Sequence, residues 1–185
     1  MRETFIFLYI FLLISLNSNA QSSNKLLLNG GTVKFVSDAP LEKIQASSTK
    51  LKGLLLTNER TFAFTVDVNT FNGFNGSIQR EHFNENYMES DTYPRASFSG
   101  KIVEDINFLK DGMYELRAKG KLIIHGIEKE RTIKIQMETK NGRINVSSKF
   151  NVLLEDHNIS IPSIVNQKIA EEVFVEVKAQ FNINE

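Results

Sequence analysis

Apolar and polar residues alternate along most of this chain. The cleanest case is Thr61 to Val68, where Phe62, Phe64, Val66 and Val68 share one side and Thr61, Ala63, Thr65 and Asp67 the other. A period of two is that of a strand with one buried face. The same pattern runs from Thr32 to Ser37, from Leu41 to Ser48 and from Leu51 to Thr57. It returns in longer form from Met113 to Ile124, Glu128 to Thr139, Arg143 to Leu154 and Ile169 to Ile183. Turn signals separate these runs: Gly30-Gly31, Asp38-Ala39-Pro40, Asn58-Glu59-Arg60, Asp111-Gly112, His125-Gly126 and Asn141-Gly142. The last is the residue pair favoured by a type I′ hairpin. Gly53, inside a strand pattern, reads as a bulge.

One stretch departs from the alternation. Between Gln79 and Ile102, residues Ile78, Phe83 and Tyr87 with Met88 recur at helical spacing among Arg80, Glu81, Asn84, Glu85 and Glu89. That predicts one short helix. Pro94 ends it and holds Tyr93 extended. Ala96, Phe98, Gly100 and Ile102 then resume the strand pattern. An all-strand chain with one helix spends that helix closing an end of a sheet or barrel.

The reading is therefore an all-β domain of eight or nine antiparallel strands joined by short turns, with no internal repeat or linker. Two packed sheets and a closed barrel both satisfy the pattern. A barrel of about eight strands can hold a ligand, whereas a sandwich fills its interior with side chains. By parity Phe35, Phe62, Phe64, Phe98, Leu122, Phe150 and Phe181 point inward, as plain core or as the lining of a cavity. The small inward residues Ala46, Ala96, Gly100, Ala118, Gly120 and Ala179 favour an interior with space.

Charge and composition then narrow the function. Lys plus Arg and Asp plus Glu both number 22, so the net charge is zero and neither nucleic acid nor an anionic membrane is an expected partner. The absence of cysteine excludes disulfides, thiolate metal sites and a cysteine nucleophile. Residues 1–20 read as a secretory signal peptide: Arg2, an apolar run from Phe5 to Leu16, and a small polar end at Ala20 before Gln21. The rival reading is an uncleaved anchor, but the run falls well short of the ~20 residues that span a bilayer. A mature chain of residues 21–185, without a stable membrane anchor, is thus expected in a periplasm or outside the cell.

Little in the chain points to catalysis or to a metal. His82, His125 and His157 lie far apart in sequence, and none is spaced with another as a ligand pair. Hydrogen bonding at the surface or behind a site is their expected role. No nucleophile elbow, zincin, phosphate-loop or dinucleotide motif is present. Glu81, Glu85 and Glu89 repeat at helical spacing as a solvated face, with no partner to tune them as acid or base. An enzyme is not expected, and no cofactor is implied.

Three spaced motifs resemble the YceI-like family of polyisoprenoid-binding, lipocalin-like exported proteins. They are Arg80-Glu81-His82-Phe83 with Tyr93-Pro94, Phe98 and Gly100; the run Gly120-Lys121-Leu122-Ile123-Ile124-His125-Gly126-Ile127-Glu128-Lys129; and Phe150-Asn151-Val152 with Asp156, Ile159 and Pro162. The resemblance spans about Gly31 to Phe181 in the expected order. It implies a lipocalin-like antiparallel barrel whose ligand is a long hydrophobic chain: a polyisoprenoid, a quinone or a fatty acyl group. Phe35, Phe62, Phe64, Phe98, Leu122 and Phe150 become the expected lining, and Phe83, Tyr87 and Met88 the expected lid. The rival reading is a filled barrel serving as an interaction module of the cell envelope. A hydrolase or isomerase on the same barrel would need buried polar groups converging at its mouth.

Overall fold

The computed structural model describes residues 25–183. The expected leader and its cleavage point lie outside these residues. Nine strands form one antiparallel sheet: β1 (Lys25–Asp38), β2 (Lys43–Ser48), β3 (Lys52–Leu56), β4 (Thr61–Asp67), β5 (Arg95–Ile102), β6 (Gly112–Ile124), β7 (Ile127–Lys140), β8 (Arg143–Leu153) and β9 (Glu172–Asn182). Each strand from β3 to β9 pairs with the next, and β9 pairs back onto β1. Both β2 and β3 run along β1 in one register, with Val33 opposite Ser48 and Leu26 opposite Leu55. They occupy one position in the wall, so the sheet closes as an eight-stranded barrel. Each strand from β3 to β9 is paired on both sides over at least part of its length, and the outer side of β2 is met by an isolated bridge between Ser47 and Asn72.

Gly30-Gly31 is not a turn. β1 continues straight through it, and the irregularity is a bulge: Leu28 faces Phe181, Gly30 faces Gln180, and Asn29 is the extra residue. One inserted residue reverses which side chains face inward. Before the bulge Leu26 and Leu28 join the core, and after it Val33, Phe35 and Ser37 turn inward. Gly53 is not a bulge either, because β3 and β4 stay in register across it. Its missing side chain makes room for the Phe64 ring, which a methyl there would strike at 2.6 Å. The Asn141-Gly142 hairpin is as expected, with φ of 50° and 72°.

The helix begins two residues earlier than expected, as α1 (Ser77–His82), and then widens into a π-helical turn over Phe83–Tyr87. The Met88 amide donates to the Phe83 carbonyl five residues back, at 2.9 Å. Such turns are rare and concentrate at functional sites. This segment lies between β4 and β5, at the end of the barrel where β6 turns into β7 and β8 leaves for β9. The opposite end is closed by Leu26, Phe108, Leu116 and Ile144, all buried.

The wall has one seam. β7 and β8 pair only from Ile135–Lys140 against Arg143–Ser148. Towards the helix end, β7 stays with β6 and β8 with β9, so the two pairs part. The turn Glu155–His157 fills the wedge between them. Three side-chain hydrogen bonds cross the seam, one of them from Ser148 Oγ to the Lys134 carbonyl at 2.8 Å. Arg131 donates from Nη2 to the Asn151 carbonyl at 2.7 Å, and His157 donates from Nδ1 to the Ile127 carbonyl at 3.2 Å. Both carbonyls lie where the strand ladder has ended, so side chains satisfy groups that would otherwise be orphaned.

Candidate functional site

The barrel is not filled. A cavity of about 680 Å³ runs from the helix down to Leu55, Ile102, Met137 and Phe181. That volume lies within the ~300–1,000 Å³ of pockets that hold small molecules. Alternating positions of all nine strands supply its walls, and these are almost wholly aliphatic or aromatic. Of the small residues read as leaving space, Ala96, Ala118 and Ala179 line it. Gly100 and Gly120 do not. They face each other across β5 and β6, and a methyl on either would collide with the other strand's backbone. Their role is close strand approach.

Two groups of aromatic rings divide the cavity. Deep in the barrel, Phe62 meets Phe98 at 5.0 Å and Phe64 at 5.9 Å, and Phe64 meets Phe181 at 6.0 Å. Under the helix, Phe35 stacks on Phe83 at 5.2 Å with an interplanar angle of 15°. Phe74 packs on Phe83 at 5.1 Å and Phe71 on Phe35 at 5.6 Å. Phe35 and Phe83, 48 positions apart in the sequence, thus hold helix to wall. Aromatic pairs contribute ~0.5–1.5 kcal/mol beyond the area they bury.

All six expected lining residues, Phe35, Phe62, Phe64, Phe98, Leu122 and Phe150, lie on this cavity. Phe83, Tyr87 and Met88 lie on it too, at the end covered by the helical segment. The π turn puts them there together, since its extra residue per turn rotates Met88 onto the face of Phe83. Burial pushes the Tyr87 phenol above its ordinary value of 10.0, so it stays uncharged. Sequence reading missed Phe71 and Phe74. They sit in an irregular segment with no period to betray them. The return of that segment onto β2 places Phe71: Ser47 and Asn72 exchange backbone hydrogen bonds of 2.8 and 2.9 Å, and Ser48 Oγ and Thr70 Oγ1 are 2.7 Å apart.

The cavity's charged and amide side chains gather at the helix end. Glu42 Oε1 accepts from Gln79 Nε2 at 2.9 Å, and Asn75 donates to the Lys43 carbonyl at 3.2 Å. His82 and Lys168 complete this border.

His125 and His157 are not surface residues. His157 is fully enclosed and His125 is 8% exposed. His125 donates from Nδ1 to the His157 carbonyl at 3.0 Å, and its Nε2 lies 3.3 Å from Glu89 Oε1. The Tyr93 ring stands edge-on to it at 4.5 Å. Glu89, read as part of a solvated face, therefore has a partner 36 positions away. Burial pushes His157 below its ordinary value of 6.5, against the pull of the Ile127 and Ile124 carbonyls. This cluster ties three loops together behind the cavity wall. Among the described residues no group of three or more His, Asp or Glu side chains could hold a metal ion.

A closed antiparallel barrel with a blind apolar cavity defines a class of small barrels built around an interior space, as distinct from a packed sandwich. Within that class the chain belongs to the YceI-like domain family, whose sequence model matches residues 25–181. Several solved structures share its fold. One is described as a polyisoprenoid binding domain from Saccharophagus degradans implicated in plant cell wall breakdown. It is 16% identical with a TM-score of 0.71, covering 87% of this chain and 99% of that one. BcnA of Burkholderia cenocepacia is 15% identical with a TM-score of 0.66, covering 81% and 95%. The YceI protein of Campylobacter jejuni is 16% identical with a TM-score of 0.55, covering 68% and 73%. No curated protein sequence matches the chain.

Proposed function

We propose that this protein is an exported carrier that holds a long hydrophobic chain, isoprenoid, quinone tail or fatty acyl, inside its barrel. One observation carries the reading: a cavity of about 680 Å³, closed at one end, with largely apolar walls and its charged and amide side chains at the other end. An amphiphile fits that polarity, with its chain inside and its head at the border of Glu42, Gln79 and Lys168. The fold shared with a structure described as polyisoprenoid binding supports the same class of ligand. Phe35, Phe62, Phe64, Phe98, Leu122 and Phe150 contact the chain, and Phe83, Tyr87 and Met88 cover it. Cleavage near Ala20 releases the protein to a periplasm or the exterior.

Native mass spectrometry of the mature protein from its exporting cell, followed by solvent extraction, tests the reading. A bound apolar species is expected. Purified protein should also take up a fluorescent prenyl probe, and Ala96→Phe, which projects a ring into the cavity, should weaken uptake about tenfold or more, ~1.4 kcal/mol, while the melting curve stays cooperative. Bare protein that takes up neither prenyl nor acyl probes would leave only the reading as an interaction module.

A further inference from the structure

Three bulky aliphatic side chains stand in solvent at the helix end of the barrel: Leu41 at 67% exposure, Ile78 at 67% and Ile164 at 90%. They come from three different connections, yet hydrogen bonds join these into one rim. The Leu41 amide donates to the Gln167 carbonyl at 2.9 Å, three residues beyond Ile164. Glu42, next to Leu41, accepts from Gln79, next to Ile78. Ile78 and Val165 also line the cavity, so the rim adjoins its mouth.

We propose that this rim docks on the surface of an uncharged phospholipid bilayer, the three side chains entering the acyl boundary while cargo passes between membrane and cavity. The inference rests on the carrier reading above, because a chain of that hydrophobicity does not cross open water readily. The rim's composition selects the occupant. Its three exposed anchors are aliphatic, whereas the anchors of protein interfaces are enriched in Trp, Tyr and Arg. Three of its backbone amides are engaged: Ala39 donates to Glu42, Leu41 to Gln167 and Val165 to Pro162. Entry into a low-dielectric layer therefore orphans none of these amides. Its charges are of both signs, Lys43, Arg80 and Lys168 among Asp38, Glu42 and Glu81, and make no basic patch for an anionic surface.

Exposed aliphatics at the closed end, Leu109 at 76% and Met113 at 81%, supply the control. They do not line the cavity. The experiment is flotation of the mature protein with phosphatidylcholine vesicles. The wild type should float with them, with little dependence on salt. Leu41→Ser with Ile164→Ser should lower the bound fraction at least about tenfold, since membrane binding scales with the apolar area inserted. That variant should still take up the prenyl probe, because neither residue lines the cavity. Leu109→Ser with Met113→Ser should float like wild type. The proposal is overturned if wild type does not float, if the rim variant floats as well as wild type, or if the closed-end variant loses as much. A wild type that floats through its rim but takes up no probe would overturn the carrier reading and leave the docking surface standing.

Discussion

His157 shows how much one side chain can settle in this wall. Its neutral ring donates to the Ile127 carbonyl where the β7 ladder has ended, and its own carbonyl receives His125. Burial holds the imidazole below its ordinary value of 6.5. As pH falls, the unfolded chain takes up this proton before the folded one. The stability due to neutral His157 is therefore complete above about pH 6.5 and is lost as pH falls through that value towards the folded one. Melting temperature should hold steady from about pH 8 to 7 and drop below about 6.5. His157→Gln should flatten that acid slope and cost ~1–3 kcal/mol at neutral pH through the disturbed hydrogen bond. Calorimetry across the pH range checks both. None of this was legible in the sequence, where His125 and His157 stand 32 positions apart and Glu89 looks like any solvated helix residue. Periodicity reports which face a side chain takes, and says nothing about which distant carbonyl it meets.

At the scale of elements, the alternation located nearly every strand, because each has one face on the cavity and one in water. It failed at glycines. Gly30-Gly31 carries the composition of a turn, but the residue that matters is Asn29, the bulge that switches β1 from one inward parity to the other. Gly53 and the Gly100–Gly120 pair look like slack in a strand, and each is a site of tight packing. Gly100→Ala and Gly120→Ala should each destabilise the barrel by ~1–3 kcal/mol through overpacking against the facing backbone, read as a lower midpoint in urea unfolding. The six lining positions were readable by the same parity rule, since inward is inward whether a core or a cavity lies there. Phe71 and Phe74 were not, because loop residues have no period. Nor could the widening of the helix at Phe83–Tyr87 be read, since a π turn has no sequence rule of its own.

For the whole molecule, the two ends and the side of the barrel differ in stiffness. Leu26, Phe108, Leu116 and Ile144 close one end with buried side chains, whereas the wall at the β7–β8 seam is held by three side-chain hydrogen bonds and an inserted turn. The barrel can widen there without breaking a ladder, but it cannot lengthen. Such a vessel is a depth gauge: it is lenient about the girth of a chain and strict about its length. Across a series of linear acyl chains, affinity should climb roughly fourfold for each added methylene, ~0.8 kcal/mol, and then level off abruptly once the tail touches bottom. Met137→Ala, which removes a side chain from the lower cavity, should move that plateau to longer chains in displacement titrations. Methyl branches, by contrast, should be tolerated at little loss, so that the protein sorts its cargo by how far it reaches and hardly by how thick it is.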